Sequence, residues 1–254
     1  MAIPLITPDW PAPAGVRALC TTREGGVSVA PFDSFNLGDH VRDDPAAVAA
    51  NRMCLAALTA PGRPVFLQQV HGVQLAHLHA VTPDGTVADA CLVTGPGVAA
   101  TIMVADCLPL LFCNASGTAV AAAHAGWRGL AGGVIEATVQ ALRTASPDQT
   151  LMAWLGPCIG PTAFEVGDEV REAFVSVDAG SASAFVPQGP GKHLADLAAL
   201  ARRRLLASGV TSVHGNDGTD AWCTVGQPSR FFSHRRDAAR LGSTGRMAAC
   251  VWIR

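Results

Sequence analysis

The 254-residue chain is short of charge. Asp, Glu, Lys and Arg together make up 15% of it, against roughly one quarter in an average globular domain. With 49% hydrophobic residues, that scarcity excludes a disordered chain and leaves ample material for a core. The net charge of −2 and a pI near 6.4 offer no basic field to attract nucleic acid or a membrane surface. Lysine is nearly absent: Lys192 is the only one among 18 basic residues, which argues against lysine-based catalysis. No two of the eight cysteines form a C-x-x-C pair, so thioredoxin-like and zinc-ribbon readings lose support. The P-C-x-x-C element of the cytidine deaminases is missing too. So are the G-x-x-x-x-G-K-[ST] loop and the Rossmann glycine fingerprint, which excludes the usual nucleoside-triphosphate and dinucleotide sites. The first residues, MAIPLITPDWPAP, lack a basic n-region and a sustained apolar h-region. The expectation is a cytoplasmic chain without disulfides.

What is present suggests one domain over 1–254. Twenty-six glycines and 17 prolines predict many tight turns. The uncharged stretch between Asp106 and Arg128 has the length of a membrane helix. Pro109 and the turn Asn114-Ala-Ser-Gly117 divide it instead into two buried strands, about 108–113 and 118–124. Further strands are expected at Val16–Thr22, Val65–Val70, Val73–His79 (a hairpin with the preceding one), Ala88–Thr94, Ala99–Ala105, Leu151–Leu155, Val210–Val213 and Met247–Ile253. Helices are expected after Asp44-Pro45, with Asp44 as N-cap, and at Arg128–Thr144, Asp168–Val177 and His193–Ser208. Gly180–Gly191 reads as a mobile loop. Strands in succession with helices between groups suggest α+β with mixed sheets.

Three segments end an apolar strand with a residue that can bind metal: Gln68-Gln-Val-His71-Gly, Val104-Ala-Asp-Cys107-Leu-Pro and Ala122-Ala-His124-Ala-Gly-Trp127-Arg-Gly. Strand ends are rigid yet open onto loops, where sites are usually built. One Cys and two His suit a zinc site with an open fourth position. Their spacing follows no compact metal motif, and two satisfied histidines beside an inert thiol give the competing reading. Gly126 and Gly129 bracket Trp127-Arg128 at a helix start, so amides there could face an anion, with Arg128 as its clamp or as an exposed first-turn residue. Cys158, in a Gly/Pro loop, is a second candidate nucleophile, although a structural role in the turn suits it better. Cys20, Cys54, Cys113 and Cys250 read as small buried hydrophobes. The His77-Leu-His79 pair and His40 read as non-functional, and Arg202–Arg204 as a solvated helix end.

The combination Gln69-Val-His71-Gly, Ala105-Asp-Cys107-Leu-Pro, His124-Ala-Gly-Trp-Arg128-Gly, Gly156-Pro-Cys-Ile-Gly160 and Phe232-Ser-His-Arg-Arg-Asp237 resembles the laccase-domain family. That family is also catalogued as multicopper polyphenol oxidase and as peptidoglycan editing factor. Thr21-Thr-Arg23-Glu-Gly-Gly26 and Phe35-Asn-Leu-Gly38 fit as well, so the resemblance covers nearly the whole chain. His234 departs from it, standing where many members carry Tyr. The resemblance implies a single domain of two mixed β-sheets flanked by helices, an α/β/β/α layered sandwich, as monomer or weak homodimer. It also implies zinc at His71, Cys107 and His124, with copper as the lesser alternative.

Bacterial members are credited with phosphorolysis of adenosine, inosine, guanosine and methylthioadenosine, and with adenosine deamination. The implied partners are therefore purine nucleosides and phosphate. Deamination needs hydroxide at neutral pH, which zinc supplies by lowering the pKa of bound water to about 7; Asp106 is the carboxylate nearest in sequence to shuttle the proton, with a structural Asp pointing the other way along the strand as the competing reading. Phosphorolysis needs an anion clamp, for which Arg23, Arg128 and Arg235 are the guanidiniums in matched motifs, while Asn36 and Gln69 could hydrogen-bond ribose or base. Three alternatives stand beside this: a copper-dependent polyphenol oxidase, for which one H-x-H pair is too few; a cysteine or zinc hydrolase that edits peptidoglycan precursors, using Cys107 with His124 or His71; and a zinc-stabilised scaffold without turnover.

Overall fold

The computed structural model describes residues 3–146 and 150–254. In chain order its strands are β1 Leu5–Ile6, β2 Val16–Thr21, β3 Arg63–Phe66, β4 Leu75–His77, β5 Ala90–Val93, β6 Val98–Val104, β7 Leu108–Asn114, β8 Val120–Ala125, β9 Leu151–Leu155, β10 Glu165–Gly167, β11 Phe185–Gly189, β12 Lys192–Ala195, β13 Ser212–Gly215 and β14 Met247–Ile253. The α-helices are α1 Pro45–Thr59, α2 Trp127–Gly132, α3 Val134–Ala145, α4 Asp168–Val175, α5 Leu197–Ala207 and α6 His234–Leu241.

Two large mixed sheets result, in strand order β1-β2-β14-β6-β3 and β13-β9-β7-β8-β5-β4, beside a small antiparallel sheet β10-β12-β11. Every residue of β5, β6, β7, β8 and β9 is buried, because these strands are covered on both faces. One face of the six-stranded sheet (Leu110, Phe112, Ala121, Ala123) packs on Ile135, Val139 and Leu142 of α3 and Leu197, Leu200 and Leu205 of α5. The opposite face (Cys91, Leu111, Val120, Ala122) meets Val65, Ile102, Met247 and Val251 of the five-stranded sheet. That sheet's far face packs under Leu55 of α1 with Phe35 and Leu37. The layers are thus helix, sheet, sheet, helix in a single α+β domain, as the resemblance implies.

The 106–128 stretch forms β7 and β8, paired antiparallel from Leu108↔Ala125 to Cys113↔Val120. No helix of the described residues is long and apolar enough to cross a membrane. Asp44 caps α1 by accepting the Ala46 amide, with Pro45 at the first position. Other expectations are corrected. β3 and β4 do not form a hairpin: β3 pairs parallel with β6, and β4 parallel with β5. The helix expected at Arg128–Thr144 is broken into α2 and α3 at Gly133, whose φ of 103° only glycine adopts at low cost. The Gly180–Gly191 loop contains a 3₁₀ turn and β11, which pairs with β12, so α5 starts at Leu197 rather than His193. Cys54 is exposed, because the buried positions of α1 are Val48, Asn51, Leu55 and Thr59 and Cys54 lies off that stripe. Arg202 and Arg204 are not merely solvated: Arg202 donates to the carbonyls of Val213, Gly215 and Asn216, and Arg204 to Glu136 and the Ala131 carbonyl.

Candidate functional site

The topology brings the ends of β6, β7 and β8 and the loop after β3 to one place. His71 follows β3, Cys107 sits in the turn between β6 and β7, and His124 lies in β8. Their ligating atoms all lie within 4.8 Å of one another, with Cys107 Sγ 3.8 Å from His71 Nε2. The two imidazoles meet edge to face at 4.8 Å between centroids. His124 is buried, Cys107 half-buried and His71 exposed, so the cluster has a closed floor and an open side.

Asp89, at the entry to β5 and fully buried, organises this cluster. Its Oδ1 is 2.8 Å from His124 Nδ1 and accepts the His71 amide at 2.9 Å. Its Oδ2 accepts the amides of Val70 at 3.1 Å and Gly72 at 2.7 Å. Three consecutive N–H groups thus fold around one carboxylate, and they hold His71 at a φ of 61°, a region non-glycine residues rarely enter. The bond to Nδ1 leaves Nε2 of His124 to face the cluster. Burial pushes the Asp89 carboxyl up, but the His124 bond and the Gly72 and Val70 amides bring it below the usual carboxylate range.

The thiol answers to the same charges. Burial raises the Cys107 pKa, and the positive charge and hydrogen bonds of His124, then of His71, outweigh it and bring it down to about 6. Burial lowers His124, while the Cys107 thiolate and Asp89 raise it further than burial lowers it. A thiolate and two imidazoles are soft to borderline donors that suit zinc or copper. The backbone leaves room for an ion: a Cβ on Gly126 would stand 2.9 Å from His71 Cδ2 and 3.0 Å from Cys107 Sγ. A Cβ on Gly129 would stand 2.8 Å from the Gly72 carbonyl oxygen. Both glycines permit close approach of α2 to the cluster. The donor set and its surroundings therefore fit a three-ligand metal site with an open position.

The cluster opens on a cavity of about 690 Å³ whose lining includes Phe66, Gln69, Trp127, Phe164, Arg235 and Arg246, within the size range of small-molecule sites. The other expected site residues divide. Asp106 lines the cavity, but its carboxylate is engaged on both oxygens, by the Thr224 hydroxyl at 2.5 Å and the Arg235 amide at 2.6 Å. At a φ of 90° it shapes the turn that presents Cys107. Gln69 also lines the cavity, but its amide clasps the Met103 backbone, donating to the carbonyl and accepting from the N–H at 2.8 Å each. Arg235 lines it with its guanidinium on the Glu165 carbonyl and near the Phe164 ring. His234 stands beside it.

Arg23, Asn36 and Arg128 are not in the cavity lining. Arg23 ties the carbonyls of Asp33 and Pro228 together and pairs with the Asp33 carboxylate at 3.1 Å. Asn36 is fully buried; its amide donates to Gly38 and Asp43 and accepts from Gly38 and Arg246. Arg128 is exposed and stacks on Trp127 at 4.4 Å. Cys158 is buried, with burial and nearby Asp196 raising its pKa well above the ordinary value, which suits a structural thiol. His77 and His79 are exposed and outside the lining, whereas His40, expected only to be solvated, contributes to it. The sequence reading missed Asp89, whose one signal is a lone charge in the apolar run Val87–Val93, and Arg246, just ahead of β14.

Over residues 17–254 the chain matches the family described as multi-copper polyphenol oxidoreductase laccase. It is 56% identical over 250 residues to a purine nucleoside phosphorylase of Pseudomonas aeruginosa, with 98% of each chain covered. It is 50% identical over 250 residues to purine nucleoside phosphorylase YfiH of Escherichia coli, again over 98% of each chain. The fold superposes on the crystal structure of a Neisseria meningitidis protein with a TM-score of 0.88 at 47% identity, covering 98% of both chains.

Proposed function

The chain belongs to the multi-copper polyphenol oxidoreductase laccase family, and from that premise we propose that it is a purine nucleoside enzyme, as its relatives' names suggest, and that it is zinc-dependent and cytoplasmic. It phosphorolyses adenosine, inosine, guanosine and methylthioadenosine, and hydrolytically deaminates adenosine. The observation that carries the reading is the His71–Cys107–His124 cluster, set by Asp89 into the wall of a cavity with both aromatic and cationic lining.

In phosphorolysis a phosphate oxygen bonds to C1′ of the ribose while the C1′–N9 bond breaks. The bonding pair leaves with the purine, which takes up a proton and departs as free base from the pentose 1-phosphate. In deamination water adds at C6 and the amino group leaves as ammonia. When bound at the cluster, zinc lowers the pKa of coordinated water to about 7. The protein's own part is placement. Asp89 fixes the His124 tautomer and the His71 turn. Asp106, with both oxygens held by Thr224 and Arg235, positions Cys107 rather than serving as the proton shuttle. Trp127 and Phe164 offer apolar faces to a base, and Arg235 stands at the cavity edge.

A thiol hydrolase is the second reading, favoured by one observation. Asp89, His124 and Cys107 form a relay in which the carboxylate orients the imidazole and the imidazole lowers the thiol pKa, the pattern of an activated nucleophile. Copper oxidation of phenols has less support, since the one H-x-H pair is exposed and outside the cavity. The test incubates purified protein with adenosine, with and without phosphate, reads adenine, inosine and hypoxanthine, and measures bound metal. Adenine formed only with phosphate and inosine formed with or without it, together with stoichiometric zinc, are the expected result. A metal-free protein that forms none of these products and is alkylated at Cys107 would favour the hydrolase instead.

A further inference from the structure

Of the three guanidiniums expected to hold phosphate, Arg23 and Arg128 lie outside the cavity and Arg235 lines it, and a further cationic group lines it as well. From this arrangement we infer that Arg246, Arg52 and His40 form an oxyanion-binding subsite of the cavity that takes inorganic phosphate. The inference rests on the phosphorolysis reading for its purpose but on its own geometry for its existence.

All three side chains line the same cavity as the metal cluster. A Cβ on Gly38 would meet Arg246 Cγ at 2.8 Å and His40 Cε1 at 3.4 Å, so glycine here lets the two side chains converge. Each guanidinium is anchored at one edge and open at another. Arg246 spends Nη1 on the Thr244 and Gly245 carbonyls, at 3.0 and 3.2 Å, and its Nε and Nη2 donate to none of the described residues. Arg52 spends Nε on the Leu37 carbonyl at 2.9 Å and lies flat on Phe66 at 3.9 Å. Its Nη2 is buried without a hydrogen bond, although Asp39 Oδ2 lies 3.2 Å away off the bonding direction.

A donor left without a hydrogen bond in a partly buried site costs stability unless something arrives to accept it. Planar forks carrying spare N–H groups match the oxygens of phosphate. The carboxylate beside Arg52 and His40 is Asp39, itself largely exposed, and the oxygens of Asp106, which Arg246 also feels, are already engaged by Thr224 and Arg235. Burial, then the positive charge of Arg246, lowers the His40 pKa despite Asp39, and Arg52 adds to that effect. The share due to Arg246 and Arg52 places His40 within reach of both guanidiniums. Arg246 also lies close enough to the metal end to feel the charges of Cys107 and Asp106. A phosphate held by it therefore shares the cavity with whatever the metal cluster engages.

The experiment measures binding of inorganic phosphate to the purified protein by calorimetry, for the wild type, Arg246→Gln and His40→Ala. The losses expected are about tenfold or more for Arg246→Gln and several-fold for His40→Ala. His40 is half-exposed and pairs only at long range with the Asp39 carboxylate, 3.6 Å from its Nδ1, so His40→Ala keeps the test sound even if Arg246→Gln folds poorly. In steady-state assays with inosine, the KM for phosphate should rise while the KM for inosine stays within about twofold. Phosphate binding that is absent in the wild type, or equal in all three proteins, overturns the subsite. So does an inosine KM that rises in place of the phosphate KM. Phosphate binding that depends on Arg246 without any nucleoside turnover keeps the subsite and sinks the phosphorolysis reading. Turnover that does not depend on Arg246 does the reverse.

Discussion

The two ends of the cavity are built on opposite plans. At the metal end, polar groups are matched to one another: four hydrogen bonds converge on Asp89, and both oxygens of Asp106 are engaged. That end stands on strands buried on both faces, so its geometry is set before any ligand arrives. At the arginine end, guanidiniums on the loop before β14 and on α1 are tethered by one edge and keep N–H groups that hydrogen-bond to none of the described residues, with only the exposed Asp39 carboxylate near Arg52. A satisfied network holds a shape, whereas unsatisfied donors wait for an acceptor. The difference separates residues that build the site from those that meet substrate. The sharpest way to break the comparison is to remove the carboxylate on which the satisfied end depends.

Asp89→Ala should have the largest effect. It leaves three amides and a buried imidazole without their acceptor, at a cost of about 3 kcal/mol or more, and frees the His71 turn. Zinc affinity should fall roughly 10–100-fold, as for other losses of a group that orients a ligand. Competition with a chelator and thermal melting read the two effects separately. Asp89→Asn keeps the volume but cannot accept every N–H, so it should fall between. If either variant binds zinc like the wild type, Asp89 does not organise the cluster.

A smaller effect reports on the electrostatics of the same end. In metal-free protein the Cys107 thiolate forms as pH rises through about 6, whereas an ordinary cysteine needs about 8.5. Alkylation by iodoacetamide, followed by mass spectrometry in a Cys54→Ser background, should therefore be half-maximal near pH 6 at Cys107. It should slow below that pH and be blocked by zinc. The sign follows from the surroundings: burial opposes ionisation, and the cationic imidazoles outweigh it. In His124→Gln the midpoint should move up. A midpoint that stays put would remove His124 from the relay.

The sequence made the metal end legible in part. His71, Cys107 and His124 each follow an apolar run, a pattern visible without any knowledge of pairing, although β3 ends at Phe66 and leaves His71 in the loop beyond it. The strand partners were not legible: β3 and β4 pair in parallel with strands distant in sequence, and the periodicity of a strand does not specify its neighbour. Asp89 looks from sequence like one charge in an apolar run. Only the fold shows that it turns toward the loop at His71. The β11–β12 pair was hidden for the opposite reason, since its Ser, Gly and Pro composition matches a loop. Arginines were the hardest, because an Arg can staple carbonyls, stack on an aromatic ring or face a cavity, and composition does not separate these fates.

That last point carries the smallest prediction. Arg128 belongs to the best matched motif, and by motif alone it is the phosphate clamp. Its guanidinium instead lies on the Trp127 ring at 4.4 Å, exposed and outside the cavity lining. A cation over an exposed ring contributes about 0.5–1 kcal/mol, so Arg128→Ala should lower stability by no more than that. Its phosphate KM should stay within about twofold of wild type, as expected for a surface substitution. Arg246, with weaker sequence credentials, should show the larger loss. If phosphate KM rises more in Arg128→Ala than in Arg246→Gln, the helix start before α2 is the anion site after all, and the contrast between the two ends fails where it is most specific.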